Sequence, residues 1–393
     1  MMFLGGVGVL LFLGLYHGLV PGRWQRPAFA AVSLSLLTWF FPLSVLTVAG
    51  LTVAVHALLP PTPREGDGGS DGQAGWGRAI AATVLCLVVL VAQRELCVPG
   101  GPIAPIVGVS YAAFRLIHVS WEAARRRLAV GSLWELLEYV LFVPSFLSGP
   151  IERFASFTGG IDRSGLSLDR AFWAARRILT GLLKKVLVVD PLRGVLDGIM
   201  APGHLPTVGE AWLGVAVASL VVYLDFSAYC DIALGVARLF GYRLSENFDW
   251  PYLASDITEF WRRWHITLSS WLRDYVYLPL SARLLRVASL RARPVLVGVL
   301  AVTATMVLCG AWHGRDARFW FWGLGHGLLC SIQLVFRQRI VGSRPSTRKA
   351  LDQSPVFRAF STLLTFAAVS LLWVPFFLPL ERALPYWRLL FGL

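Results

Sequence analysis

The chain has 393 residues and a formal net charge of +13; 56% of it is hydrophobic, only 15% is charged, and its mean hydropathy is +0.63. A soluble protein of this size cannot hide so much apolar surface, so the composition excludes a water-soluble globule and asks for lipid as part of the solvent. The cations cluster beside apolar runs, at Arg125-Arg126-Arg127, Lys184-Lys185, Arg283 to Arg293 and Arg337 to Lys349, which fits attraction to anionic lipid and argues against nucleic acid as a partner.

Apolar runs follow one another along the whole chain: Met1–Leu19, Ala28–Leu59, Ala79–Val98, Trp134–Leu147, Ile178–Val189, Trp212–Phe226, Pro294–Trp312, Phe319–Phe336 and Phe357–Leu378. At about 20 residues per crossing, the second run is long enough for two helices that part at Pro42. The expected architecture is all-α, a polytopic integral membrane protein with roughly 9–11 membrane-embedded helices, some of them short or re-entrant. The first run has no basic stretch before it; Arg23 and Arg26 follow it instead. It reads as a retained first transmembrane helix rather than a secretory signal, with the Arg23/Arg26 end on the cytoplasmic side.

Two polar stretches interrupt the pattern. Pro60 to Gly77 is rich in Pro, Gly and acids and reads as a solvated loop, and Gly342 to Ser354 joins the last two apolar blocks. Neither separates soluble domains, so one membrane domain over 1–393 is expected. The sequence shows no internal repeat, which weighs against a transporter. Its five cysteines, Cys86, Cys97, Cys230, Cys309 and Cys330, form no CxxC pair and read as buried thiols acting as small hydrophobes.

The character changes after Asp225. Phe226-Ser227-Ala228-Tyr229-Cys230-Asp231 ends an apolar helix, and Glu246-Asn247-Phe248-Asp249-Trp250-Pro251 leads to a new one. Ser255 or Asp256 can cap that helix, and Glu259 and Arg263 form an i,i+4 pair in the favourable order. Phe260, Trp264, Leu268, Trp271 and Tyr275 fall on one stripe, with Arg262, Arg263 and Arg273 on other faces. That spacing predicts a helix lying in the membrane interface, either a plain lipid anchor or part of a site.

Of seven histidines, His17, His56, His118 and His204 have no constellation around them. His265 follows Arg262-Arg263-Trp264; His313 sits in Cys309-Gly310-Ala311-Trp312-His313-Gly314, and His326 in Trp322-Gly323-Leu324-Gly325-His326-Gly327. A polar group at membrane depth is costly and usually faces a cavity or a partner, and flanking glycines let backbone or substrate approach closely. Neutral imidazole is suited to remove a hydroxyl proton near neutral pH. No HExxH, GxSxG or Walker sequence is present, and the three histidines lack the spacing of a metal site, so no metal is expected.

These residues resemble the membrane-bound O-acyltransferase family, in the bacterial branch of alginate O-acetylation and D-alanyl transfer proteins. Four blocks carry the likeness in order. They are Gly108-Val109-Ser110-Tyr111-Ala112-Ala113-Phe114; Phe142 to Phe154 with Gly149-Pro150-Ile151-Glu152-Arg153; Phe226 to Gly235 through Asn247-Phe248 to the Trp261–Leu280 segment; and Trp312-His313-Gly314 with Trp322-Gly323 and His326-Gly327. Together they cover about 108–327. The resemblance implies helices around a central channel, an acyl thioester arriving from the cytoplasm, and an acceptor hydroxyl on an exported or cell-envelope polysaccharide. It implies His313 as the catalytic residue and His265 as a second important one.

On that basis His313 is expected to act as general base, and His265 to orient the donor or hydrogen-bond its carbonyl. Arg262, Arg263 and Arg273 would hold either donor phosphates or lipid headgroups. Trp261, Trp264, Asp274, Trp312 and Tyr229 complete the expected binding set. No tightly bound cofactor is expected; acetyl-CoA or an acyl carrier serves as co-substrate, acetyl being the first choice of acyl group and D-alanyl the alternative. Expected partners are membrane lipid, the glycan acceptor, a cytoplasmic carrier and an extracytoplasmic protein that completes transfer, in a multi-pass protein of the bacterial cytoplasmic membrane. The competing reading is a transporter or flippase for a glycan or acylated substrate, with the histidines in a proton relay.

Overall fold

A computed structural model describes residues 16, 20–60, 72–96, 106–162, 166–341 and 354–393. The expected first transmembrane run, most of the 60–77 loop, Cys97, His17 and nearly all of the 342–354 stretch lie outside the described residues. Every regular element described is helical: α1 Gly22–Phe40, α2 Pro42–Leu58, α3 Gly72–Leu96, α4 Val109–Ala124, α5 Leu133–Val140, α6 Phe154–Gly159, α7 Leu168–Leu183, α8 Asp190–Ile199 and α9 Val208–Leu239. There follow α10 Ile257–Arg263, α11 Ile266–Leu272, α12 Leu278–Leu284, α13 Ala288–Arg291, α14 Pro294–His313, α15 Ala317–Val335, α16 Pro355–Phe377 and α17 Leu380–Leu390. Length and apolarity suit five of the described helices to cross a membrane, α3, α9, α14, α15 with its extension to Gln338, and α16, which makes this a multi-pass membrane protein.

The long run at 28–59 divides where its proline predicts: α1 ends at Phe40, and Pro42 opens α2, where its missing N–H costs nothing. Two other runs do not form single spans. Trp134–Leu147 breaks into α5 and a 3₁₀ turn at Val143–Ser145 around Pro144, while Ile178–Val189 ends in a π-helical stretch, Lys184–Val189. Cys86, Cys230, Cys309 and Cys330 are buried thiols, as expected of small hydrophobes.

The described chain groups into two compact units, one of residues 1–181 with 229–245, the other of 182–228 with 246–393. In the first, Arg115 of α4 is only 1% exposed, and its guanidinium gathers the irregular 139–145 backbone. Nη1 donates to the Tyr139 and Val140 carbonyls at 3.1 Å each, and Nη2 to the Ser145 carbonyl at 2.9 Å and hydroxyl at 2.6 Å. Gly108 caps α4 at φ +80°, and a Cβ there would stand 2.6 Å from the Phe146 ring, so the first two motif blocks interlock. Glu138 joins Arg26 and Tyr242, and Glu152 accepts from the Ser245 N–H and hydroxyl at 2.6 and 2.9 Å. His118, assigned no chemistry, accepts the Phe154 N–H at 3.1 Å.

In the second unit, α14 and α15 pack as a tight hairpin. A Cβ on Gly323 would lie 2.4 Å from the Met306 carbonyl oxygen, one on Gly310 2.2 Å from that of Phe319, and one on Gly327 3.0 Å from Thr303 Cα. Gly310, Gly323 and Gly327 therefore admit a neighbouring helix backbone, the small-residue packing usual in membrane helices, while Gly314 and Gly325 make room for the Phe319 ring and the Leu372 side chain rather than for substrate. A separate apolar core joins α8, the first part of α9, the end of α16 and α17, with Tyr386 against Gly214.

Candidate active site

The Ser255–Leu280 segment folds as a chain of short helices, not the single interfacial helix its spacing predicts. Asp256 caps α10 by accepting the Glu259 N–H at 2.8 Å, and Glu259 reaches back to the Ser255 N–H and hydroxyl, both at 2.8 Å. Two orphan donors are thus satisfied reciprocally, as in a capping box. Arg263 takes the other Glu259 oxygen at 2.6 Å, the predicted i,i+4 pair. The helix then stops: Trp264 turns extended at φ −98° and ψ +127°, and His265 after it adopts φ +41° and ψ +55°. An L-residue enters that left-handed region at a cost of about 1–2 kcal/mol.

The stripe Phe260, Trp264, Leu268, Trp271 and Tyr275 is buried throughout, at 7% exposure or less, so it faces protein and the lipid-anchor reading is corrected. Arg262 and Arg273 are exposed and Arg263 half-buried; Arg273 bonds its neighbour Asp274 at 2.9 Å. The arginines therefore rim this segment while the aromatics fill its interior.

Asn247, part of the third motif block but given no role there, holds the break in place. It is wholly buried, its carbonyl accepts the Ile266 N–H at 2.9 Å, and its Oδ1 accepts from the Thr267 N–H at 3.2 Å and hydroxyl at 2.7 Å. The same oxygen faces His265 Nδ1 at 3.4 Å. An amide oxygen only accepts, so this contact places the proton on Nδ1 and leaves the lone pair on Nε2. Nε2 is buried and has no hydrogen-bond partner among the described residues. Burial, with a smaller push from His313, holds the His265 imidazole down to about 3, so it stays neutral.

His313 ends α14. Its ring lies 4.5 Å from that of Trp312 and 5.1 Å from those of Trp322 and Phe376, and it is half-buried. Trp322 also stands 4.6 Å from His326, one turn further along α15, and 6.0 Å from Trp261. Trp261 meets His326 at 5.1 Å. On the other side Trp264 packs on Trp373 at 5.0 Å, Trp373 stacks on Trp322 at 5.8 Å, and Phe226 stands edge-on to His265 at 4.7 Å. One aromatic body thus connects all three histidines.

Within it, hydrogen-bonding capacity is left over. Both ring nitrogens of His326, Nε2 of His265 and the indole N–H groups of Trp261 and Trp322 are buried without partners among the described residues. Each such group costs about 1–3 kcal/mol when left unmet, and clusters of them mark places built for polar atoms other than the protein's own. His326, singled out for its glycines but given no role, belongs to this cluster. Tyr229 belongs to the first unit, where its hydroxyl donates to the Pro144 carbonyl at 3.3 Å and accepts the Ser148 N–H at 3.4 Å.

Residues 35–373 match the model of the MBOAT, membrane-bound O-acyltransferase, family. Curated relatives include the probable alginate O-acetylase AlgI of Pseudomonas fluorescens, 34% identical over 271 residues, or 69% of this chain and 50% of that protein. The peptidoglycan O-acetyltransferase of Helicobacter pylori is 32% identical over 251 residues, 62% of this chain and 44% of that one. The teichoic acid D-alanyltransferase of Streptococcus thermophilus is 30% identical over 280 residues, 67% and 66% of the two chains. The chain spans about half the length of the alginate and peptidoglycan relatives it matches.

Proposed function

This chain belongs to the membrane-bound O-acyltransferase family, and from that premise we propose that it moves an acyl group, acetyl first, from a cytoplasmic thioester to a hydroxyl of an exported or cell-envelope polysaccharide. The observation that carries the assignment is the unequal accessibility of the three clustered histidines. His265 and His326 are 3% and 0% exposed, whereas His313 is half-buried at the end of α14 and can be reached.

In the proposed reaction His313 takes the acceptor's hydroxyl proton as the oxygen attacks the thioester carbonyl. The tetrahedral intermediate collapses, the carbon–sulfur bond breaks, and the imidazolium returns its proton to the departing thiolate. General-base action of this kind is worth about 10²–10⁴-fold, and positioning supplies much of the remainder. With its proton on Nδ1, neutral His265 offers an acceptor at Nε2. It is therefore suited to hold an N–H or O–H of a substrate, such as an amide of the donor's arm, and not to donate to the thioester carbonyl. Donors toward that oxygen are available from the indoles of Trp261 and Trp322. Arg262, Arg263 and Arg273, on the rim, are placed to meet donor phosphates by charge-assisted hydrogen bonds. Delivery by a cytoplasmic carrier, completion by an extracytoplasmic protein and residence in the bacterial cytoplasmic membrane follow from the same reading.

The test compares cells carrying the parent chain or His313→Ala at matched membrane levels. Alkali-labile esters of the envelope glycans are measured and the released acyl group identified. Loss of one ester in the variant is expected, and its identity separates acetyl from the D-alanyl transfer named for the streptococcal relative. Unchanged esters would remove His313 as the base.

A further inference from the structure

The second unit holds a recess of about 440 Å³ away from the histidines, walled by α15, its π-helical extension Phe336–Val341, α16 and the start of α10. Its two long walls are helical stripes: Leu329, Ile332 and Phe336 on one side, Phe360, Leu364 and Ala368 on the other. Ile332, Phe360 and Leu364 are 59–65% exposed, so the recess opens to the surroundings along its length. At one end stand Arg337 and Arg358 with Asp256. Arg337 pairs with Asp256, while Arg358 is exposed and bonds through no side-chain atom among the described residues.

We propose that this recess binds one anionic glycerophospholipid, headgroup at Arg337 and Arg358 and an acyl chain along the Phe360–Leu364–Ala368 wall. Two properties specify the occupant. The first is charge: among the described residues two guanidiniums against one carboxylate leave a single net positive charge, the complement of one phosphodiester, which Arg358 can meet without breaking a pair described there. The second is length. From Phe357 to Ala368 the wall rises about 16 Å at 1.5 Å per residue, close to the ~15 Å of one hydrocarbon leaflet. The charged end leads into Arg337, Arg339, Arg344, Arg348 and Lys349, which assigns it to the cytoplasmic leaflet by the positive-inside rule. Because Asp256 caps α10, the helix that carries Trp261, a lipid drawn to Arg337 touches the support of the aromatic site without entering it.

The experiment uses the full chain in mild detergent, with phosphatidylglycerol and phosphatidylcholine of identical acyl chains offered at equal mole fraction and retained lipid counted by native mass spectrometry. The parent should prefer phosphatidylglycerol by about tenfold or more, the worth of one charge-assisted hydrogen bond. Arg358→Gln should bring that ratio close to one, Arg358→Lys should keep most of it, and Thr365→Trp, which fills the recess, should abolish retention of either lipid there. Arg358 bonds through no side-chain atom among the described residues, so its replacement is expected to leave the fold intact and the result readable. Equal retention of the two lipids by the parent, or an undiminished preference in Arg358→Gln or Thr365→Trp, overturns the proposal. So does a photo-reactive side chain at Thr365 that captures polypeptide instead of lipid.

Discussion

Arg115 and His326 are both sealed from solvent, at 1% and 0% exposure, yet they are treated in opposite ways. Arg115, in the first unit, spends its terminal nitrogens on four backbone carbonyls and a hydroxyl and so ties down a segment that has no regular helix to satisfy it. His326, in the second, bonds through neither nitrogen among the described residues and is surrounded by aromatic rings. A buried polar group that is met by protein is architecture. One that is left unmet inside a packed interior is a cost the fold carries for something else. The contrast separates the motif blocks by job: those around Gly108 and Phe146 organise backbone, and those around His265 and His313 are the ones to which the proposed reaction gives the chemistry.

Three substitutions test that division. Arg115→Met leaves several buried carbonyls without donors and should destabilise the chain by about 3 kcal/mol or more, read as a collapse of membrane levels and of the thermal transition in detergent. An Arg115→Met protein that melts normally would remove the architectural half of the contrast. Gly323→Ala drives a methyl into the Met306 carbonyl oxygen, where backbone cannot yield, and should cost about 1–3 kcal/mol by the same measurement. His326→Leu should have the smallest effect on stability, within about 1 kcal/mol of the parent or above it, because it removes unmet polar atoms while keeping the volume. Ester transfer should nonetheless fall about tenfold, equivalent to one lost hydrogen bond. A low-melting His326→Leu protein would make His326 part of the architecture after all.

Much of this was legible in the sequence. Long apolar runs mark α9, α14, α15 and α16, Pro42 marks the division of α1 from α2, and Asp256 with Glu259 marks the start of α10, because each signal is local. The aromatic stripe from Phe260 to Tyr275 misled for a physical reason: lipid and protein interior are both apolar, so periodicity shows that a face is buried but not in what. Nor does any local pattern announce that His265 turns left-handed. That conformation is imposed by Asn247, eighteen positions earlier, which satisfies the backbone on the far side of the break. Arg115 escaped notice because its partners lie 24–35 residues away and are, but for one hydroxyl, backbone carbonyls, which every residue carries. The glycines beside His313 and His326 were visible, but whether they made room for substrate or for a helix is a matter of tertiary packing alone.

The backbone at His265 has a consequence for how variants there are interpreted. Most deletions of a side chain use alanine as the neutral reference, but at φ +41° alanine keeps a Cβ in a conformation that disfavours it. Glycine is the one residue that removes the imidazole and relaxes the chain together. Measured beside alanine, it divides any defect at this position between what the ring contributes and what the bend contributes.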